Sequence, residues 1–378
     1  HTDRSIKLSS GLGIDNLIGG SGDDTLTGNS LANTLTGGNG NDQLNGSLGS
    51  DLLIGGLGDD SYRFTGATVG GEIDTITEAA GQGSDTVDFS SRTIAVRMNI
   101  SDSASTQQVH TNRRIKLSSG LGIDIVIGGS GADTLTGNSL ANSLIGNAGN
   151  DRLSGGLGSD SLNGGLGDDT YVFGGATIGG EVDALTESSG QGTDTLDFSS
   201  RSISVALNLS SISQQTVHND RAITLNSSSA FENALGGSAD DTLTGNSAAN
   251  ILIGNAGNDI LSGSGGRDLL IGGAGQDTIS GGDDDDILIA GRTSFDAAIN
   301  SLNTIRIEWI SGNSYSTRVS NVRSGVGSPS VSLSATNNVL DDSGDDDSLT
   351  GGSGTDWYFQ AIDDVITDLL AGELTDSL

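Results

Sequence analysis

The sequence predicts an all-β protein, a solenoid of short stacked strands in three modules of about 109 residues with a small C-terminal α+β cap. Three observations predict it. Nine-residue units of the form G-G-x-G-x-D-x-U-x, with U large and apolar, run without a slip from Ser10 to Arg63 and return from Ser119 to Val172 and, with a degenerate first unit, from Ser227 to Ile289. These blocks sit inside a longer period: "HTDRSIKLSSGLGID" (1–15) returns as "HTNRRIKLSSGLGID" (110–124) and, more weakly, as "HNDRAITLNSSSAFEN" (218–233). With 61 Gly, one Pro and 3% aromatic residues, the chain lacks the large side chains of an ordinary core. Self-similarity at a fixed period marks an architecture in which each repeat buries its apolar face only against its neighbours.

Each unit has a physical logic. Its glycine-rich half supplies a tight turn with positive φ, and its D-x-U-x half supplies a strand of three or four residues. The U residues point inward, as at Leu17, Leu26, Leu35, Leu44 and Leu53. Two further units, DSGDDDSLT (342–350) and GGSGTDWYF (351–359), lie near the C-terminus. The expected domains are therefore residues 1–109, 110–217 and 218–290 as solenoid modules and 291–378 as the capping region.

The net charge of −33, from 49 acids and 16 bases, makes nucleic acid and anionic membranes poor partners. It also makes the chain repel itself until cations neutralise it. The absence of Cys removes disulfides and thiolate metal sites. No apolar run approaches the roughly 18 residues of a membrane span, so no membrane insertion is expected. The chain begins at His1 without a signal-peptide pattern and reads as a fragment or a processed product. His1, His110 and His218 are one repeat position seen three times, which suits a structural or surface role better than zinc.

The tandem units resemble the RTX, or haemolysin-type, calcium-binding nonapeptide, and the resemblance covers about half the chain directly. It implies a parallel β-roll, or β-helix, with two nonapeptides per turn and Ca²⁺ held between stacked turns. Ligand partners then stand 18 residues apart. One row of sixth-place residues reads Asp24, Asp42, Asp60; then Asp133, Asp151, Asp169; then Asp241, Asp259, Asp277. The other reads Asp15, Asn33, Asp51; then Asp124, Asn142, Asp160; then Glu232, Asn250, Asp268, Asp286. The first row is expected to hold six strong calcium sites, and Asp268 with Asp286 a seventh. Asp15, Asp51, Asp124, Asp160, Asp347 and Asp356 are weaker candidates. The Asn is expected to disable one and the same side of the roll in all three modules, with Leu31 and Leu140 filling the space a cation would use. The alternative for any single Asp is a turn role, since Asp accepts local hydrogen bonds.

Between the blocks, residues 64–119 show no helix pattern. "DTVDF" (85–89) and "RRIKL" (113–117) are strand candidates, and Ile94, Val96, Met98 and Ile100 fit one strand face. The module length matches six turns of 18 residues, a rise of ~29 Å at ~4.8 Å per turn. The segment is thus expected to continue the solenoid with longer loops, the alternative being an inserted β-sandwich. Glu72, Asp74, Glu78 and Asp85, with Glu181, Asp183, Glu187 and Asp194, suit either extra calcium or a solvated face.

After Gly291 the pattern becomes helical. A helix is expected over 294–311 with Ser294 as N-cap, and another over 314–325 ending at Gly325. With Trp357, Tyr358 and Phe359 they are expected to cover the open end of the solenoid. A ligand groove on Trp309 and Trp357 is the alternative. The acidic tail (363–378) suits an uncleaved secretion signal of the type I route that the resemblance implies.

No catalytic motif stands out, so an enzyme is not expected. The expected function is a secreted, bacterial, calcium-binding structural protein that folds outside the cell and serves as the stalk of an adhesin or matrix protein. Self-assembly into filaments or a surface layer, and the folding module of an enzyme whose catalytic domain lies elsewhere, are the alternatives. Expected partners are calcium ions, with further copies of the chain or surface polysaccharide beside them. An ice-binding Thr face is suggested by Thr25, Thr27, Thr34 and Thr36 but does not persist.

Overall fold

The computed structural model describes residues 3–8, 13–66, 70–175, 179–336, 338–342 and 345–378; His1 lies outside them. Short parallel strands dominate, with two short helices. Contacts divide the chain into two units, His1–Val172 with Ala176–Gly192, and Phe173–Gly175 with Thr193–Leu378.

In the first unit, successive nonapeptides alternate between two parallel sheets. Thr25–Thr27, Gln43–Asn45, Ser61–Arg63 and Thr86–Asp88 stack on one side. Asn16–Gly20, Thr34–Asn39, Leu52–Leu57 and Glu72–Thr77 stack on the other. Leu17 pairs with Leu35 and Leu35 with Leu53, while Leu26 pairs with Leu44, so the register step between nonapeptides is 18 residues. All five Leu are buried, as the pattern predicts. At Gly38 the turn allows no side chain, because φ is 121° and a Cβ would collide with the Gly20 carbonyl one turn earlier; at the same place Ser47, Asn147, Asn255 and Ser264 take φ of 72–77° instead.

The inter-block segment winds on and then departs. Glu72–Thr77, Thr86–Asp88 and Arg97–Asn99 continue the roll, the last starting a new stack with Thr134–Thr136, Arg152–Ser154 and Thr170–Val172. "DTVDF" and "RRIKL" are strands as expected, and Val96, Met98 and Ile100 are buried, but Ile94 is 46% exposed. Arg113–Leu117 pairs in parallel with the edge of Glu72–Thr77, and Gln107–His110 folds back on it as an antiparallel hairpin that ends this stack. Neither a pure solenoid nor a sandwich describes the segment.

The hairpin changes the count of turns. Nine strands wind from Asn16–Gly20 to Arg97–Asn99 before Ile125–Ile127 begins the next module. That is four and a half turns, or a rise of ~22 Å rather than ~29 Å. Half a turn left over exchanges the two sides. Thr86–Asp88 pairs with Ile125–Ile127, so the Asp24–Asp42–Asp60 side of the first module runs on into the Asp124–Asn142–Asp160 side of the second. The expectation that Asn always marks the same side is thereby corrected.

The second unit has the same two-sided winding. Asn233–Leu235, Ile251–Ala256, Leu269–Ala274, Ile287–Ile289 and Trp357–Gln360 stack on one side. Thr242–Thr244, Ile260–Gly265, Thr278–Asp283 and Ser348–Ser353 stack on the other. The units at 342–359 thus rejoin the roll, and the tail adds Val365–Ile366 and Leu374–Ser377 to it.

The helices belong to the excursion between these strands. α1 spans Ile299–Trp309 and α2 spans Tyr315–Ser324. α2 starts at Ser314, whose side chain accepts from the Thr317 amide at 3.3 Å, and ends at Gly325 as expected. α1 starts later than expected, with Ala298 as N-cap, because Phe295 to Ala298 form a turn against Thr293. The pair lies along the flank of the roll, not over its end. Ile251, Ile253, Leu269, Ile271, Ile287 and Ile289 flank the inward residues of their strands and point outward, where Leu302, Ile305, Trp309, Val319 and Val322 cover them. Trp309 and Trp357 are fully buried in this cluster and form no open groove.

Candidate metal centres

Each sixth-place carboxylate is held by the turn before it. The Asp24 amide donates to Asp42 Oδ1 at 2.7 Å and the Asp42 amide to Asp60 Oδ1 at 2.8 Å. The same link joins Asp133 to Asp151 and Asp151 to Asp169, at 2.6 and 2.7 Å. It joins Asp241 to Asp259 and Asp259 to Asp277, at 2.7 and 2.8 Å. It also joins Asp268 to Asp286 and Asp286 to Asp356, each at 2.8 Å, and Asp277 to Asp347. Asp347 and Asp356 thus join the two rows of the second unit.

The link uses one oxygen of a carboxylate; Oδ2 of Asp133 and Asp241 accepts from the Gly129 and Gly237 amides of its own turn, while in most of the others it is left over. Oδ2 of Asp42, Asp51, Asp60, Asp151, Asp259, Asp268, Asp277, Asp286, Asp347 and Asp356 is buried without a hydrogen-bond partner. A buried, unpartnered carboxylate oxygen is costly unless a proton or a cation meets it. Burial, with neighbouring carboxylates adding to it, pushes Asp42 up to about 6, and Asp151 and Asp259 up to about 7. The same causes push Asp277 and Asp347 up to about 8 and Asp286 up to about 10.

The space beside these oxygens is walled by more oxygen. A Cβ at Gly19 would fall against Asp24 Oδ2 and the Gly37 carbonyl; at Gly254 it would fall against Asp259 Oδ2 and the Gly272 carbonyl. Carboxylate and turn-carbonyl oxygens together are the donor set of a hard cation such as Ca²⁺, so these residues fit the ion.

The Asn units are built differently. Asn33, Asn142 and Asn250 each turn Oδ1 onto an amide of their own turn, Asn29, Asn138 and Asn246, at 2.7–2.8 Å. Asn250 Nδ2 donates to the Glu232 carbonyl one turn earlier at 2.9 Å, and Asn142 Nδ2 reaches the Ile123 carbonyl at 3.4 Å. The Asn Oδ1 thus stands beside the first glycine, at Gly28, Gly137 and Gly245, where Asp Oδ2 stands in the other units, and the amide N–H takes the place of the linking oxygen. Leu31 and Leu140 are 39% and 38% exposed, so they do not fill that space, contrary to expectation.

The remaining candidates separate by setting. Asp51 and Asp160 are buried, Asp124 is half-buried and Asp15 is exposed. Asp51 hands its link on to Asp74, where the buried Arg113 guanidinium donates to Asp74 Oδ2. That row ends on a tethered cation. His110 is buried, and burial with the Arg92 and Arg113 charges pushes its imidazole down to about 4, which keeps it neutral. Sequence reasoning missed a second ladder at the fifth place: the Asn41 amide donates to Asp23 Oδ1 at 2.7 Å and the Asp59 amide to Asn41 Oδ1 at 2.9 Å. Its signal is the Asp or Asn that precedes the sixth-place Asp in alternate units only.

A family model described as the RTX calcium-binding nonapeptide repeat (4 copies) matches residues 9–30, 27–62, 118–139, 136–171, 235–270, 262–293 and 334–359. Together these stretches cover about half of the chain. A search of curated proteins finds no match.

Proposed function

Because the chain belongs to the RTX calcium-binding nonapeptide repeat family and is a calcium-binding repeat protein, we propose that it is a secreted bacterial stalk that calcium folds and stiffens outside the cell. The observation that carries this reading is the set of buried carboxylate oxygens with no partner, repeated in register along both units. Without cations, a chain of net charge −33 must bury those charges against one another. Millimolar calcium binds only the folded arrangement and stabilises it by mass action.

In this reading the module, with boundaries at 109/110, 217/218 and 290/291, is the building unit. Asp24, Asp42, Asp60, Asp133, Asp151, Asp169, Asp241, Asp259 and Asp277, with Asp268 and Asp286, are its principal ligands. Asp51, Asp160, Asp347 and Asp356 extend the rows, and Asp15 and Asp124 hold ions least well. The role is mechanical, placing an adhesive or matrix element at a distance from the cell. No helix among the described residues is long and apolar enough to cross a membrane.

Circular dichroism tests the reading. Chelator-stripped protein is expected to keep only a weak, easily unfolded β-signal and to gain the full signal when calcium is added. An identical spectrum in both conditions refutes it. Electron microscopy of the calcium form then separates single rods, which the stalk requires, from filaments.

A further inference from the structure

The nonapeptide rows end in a particular way. In the interior of a row, the space beside the first glycine of a unit is closed by the Asp Oδ2 of the following strand and by a glycine carbonyl one turn on, as at Gly19, Gly128 and Gly254. At Gly55 the nonapeptides stop. There the same space is closed by Asp60 Oδ2, by Glu78 Oε1 and by the Tyr62 hydroxyl. Glu78 arrives from the inter-block segment, outside the repeat.

We propose that Asp60, Glu78 and Asp85 hold one divalent cation of the calcium class at this row end, with Tyr62 positioning Glu78. One carboxylate oxygen from each of the three lies within 4.8 Å of the others. Relative exposures are 1% for Asp60, 6% for Glu78 and 1% for Asp85. Asp60 Oδ1 accepts from the Asp42 amide at 2.8 Å, and Asp85 Oδ1 from the Asp60 amide at 2.9 Å. Glu78 Oε1 accepts from the Tyr62 hydroxyl and from the Gly56 amide at 3.1 Å. That leaves Asp60 Oδ2 and Glu78 Oε2 buried without a hydrogen-bond partner. None of the three carboxylates forms an ion pair among the described residues. Burial and mutual repulsion push Asp60 and Asp85 each up to about 7, the strain a cation relieves.

Similar arrangements stand at the end of the second run and at the last unit of the chain. Tyr takes the U place at Tyr62, Tyr171 and Tyr358, where Leu, Ile or Val stands in every other unit except the degenerate one at Ala234. Beside Gly164 the space is closed by Asp169 Oδ2 and Glu187 Oε1, and Tyr171 donates to Glu187. Beside Gly351 it is closed by Asp356 Oδ2 and the Tyr358 hydroxyl, and Asp368 accepts from the Gly351 and Gly352 amides at 2.9 and 2.8 Å. An aromatic hydroxyl and an acid from the next segment thus replace the missing repeat. The acid adds the third charge that an ordinary turn lacks.

The inference rests on the calcium reading above. Its test is an anomalous-scattering map of the full chain crystallised with calcium, for the wild type and for E78Q. A peak bounded by Asp60, Glu78 and Asp85 is expected in the wild type. In E78Q it should vanish while the peak between Asp24 and Asp42 stays; in Y62F it should persist at reduced occupancy. A wild-type map with the Asp24–Asp42 site filled and nothing at the row end overturns this inference alone. A peak that survives E78Q at full occupancy overturns the role of Glu78. No peak at either place sinks the calcium reading and this inference together.

Discussion

At the scale of the residue, the informative contrast is between Asp and Asn at the same place in the unit. Both keep the turn and the inward apolar residue two places on. Most of the row Asp residues leave a buried oxygen without a partner, whereas Asn turns its oxygen onto its own turn and brings an N–H that donates to the preceding one. Asn142→Asp therefore has two expected effects. In calcium, equilibrium dialysis should count one ion more than the wild type, held between the introduced carboxylate and Asp160. Without calcium, the loss of the amide donor leaves a buried acceptor short, a cost of about 1–3 kcal/mol in urea unfolding. The choice of Asn was legible in the sequence from its recurrence at one phase. The position of Leu31 was not, because the period places a residue in the turn without saying which way the turn throws its side chain.

At the scale of the element, two pieces depart from the nine-residue rule, and each shows where pattern reading stops. The hairpin at Gln107–His110 and Arg113–Leu117 has the strand composition the sequence suggested, but composition does not say whether a strand winds on or folds back. What turns it back is local: the chain reverses between His110 and Arg113, and Arg113 is pinned to Asp74. The helical pair shows the opposite case, a signal present and unread. In the second unit, strands on one side are apolar at three successive residues, as in Ile251–Leu252–Ile253, Ile287–Leu288–Ile289 and Trp357–Tyr358–Phe359. A two-residue alternation with one wet side forbids that, so a cover was required on that flank. Trp309 anchors it: its ring is buried, its Nε1 donates to the Asp285 carbonyl at 2.7 Å, and Arg318 stacks 4.6 Å from its centroid. Trp309→Ala is expected to lower the stability of the second unit by about 3–5 kcal/mol in calcium, read from denaturant unfolding.

At the scale of the whole molecule, charge decides when the fold exists. The row carboxylates have folded-state pKa values raised above those of the unfolded chain, so the folded form binds protons more tightly. Their contribution is present in acid and is lost as pH rises through about 6 to 8, the range set by Asp42, Asp151, Asp259, Asp277 and Asp347. Chelator-stripped protein is therefore expected to unfold at lower urea at pH 8 than at pH 5. With calcium in excess the order should reverse, because protons compete with the ion for the same oxygens. A metal-free protein whose urea midpoint is flat across this range contradicts the account. The half-turn left over in the first module bears on the mechanics of the first unit. In the first unit, the stretch rich in ion sites lies on one side through the first module and on the other side through the second. If every ion lay on one side, calcium would tighten that side alone and the roll would curl, as a strip of two bonded metals does on heating. Within the first unit, alternation sets one module's tendency to curl against the other's, so a change in calcium alters the rigidity of that unit while the direction of its roll is kept.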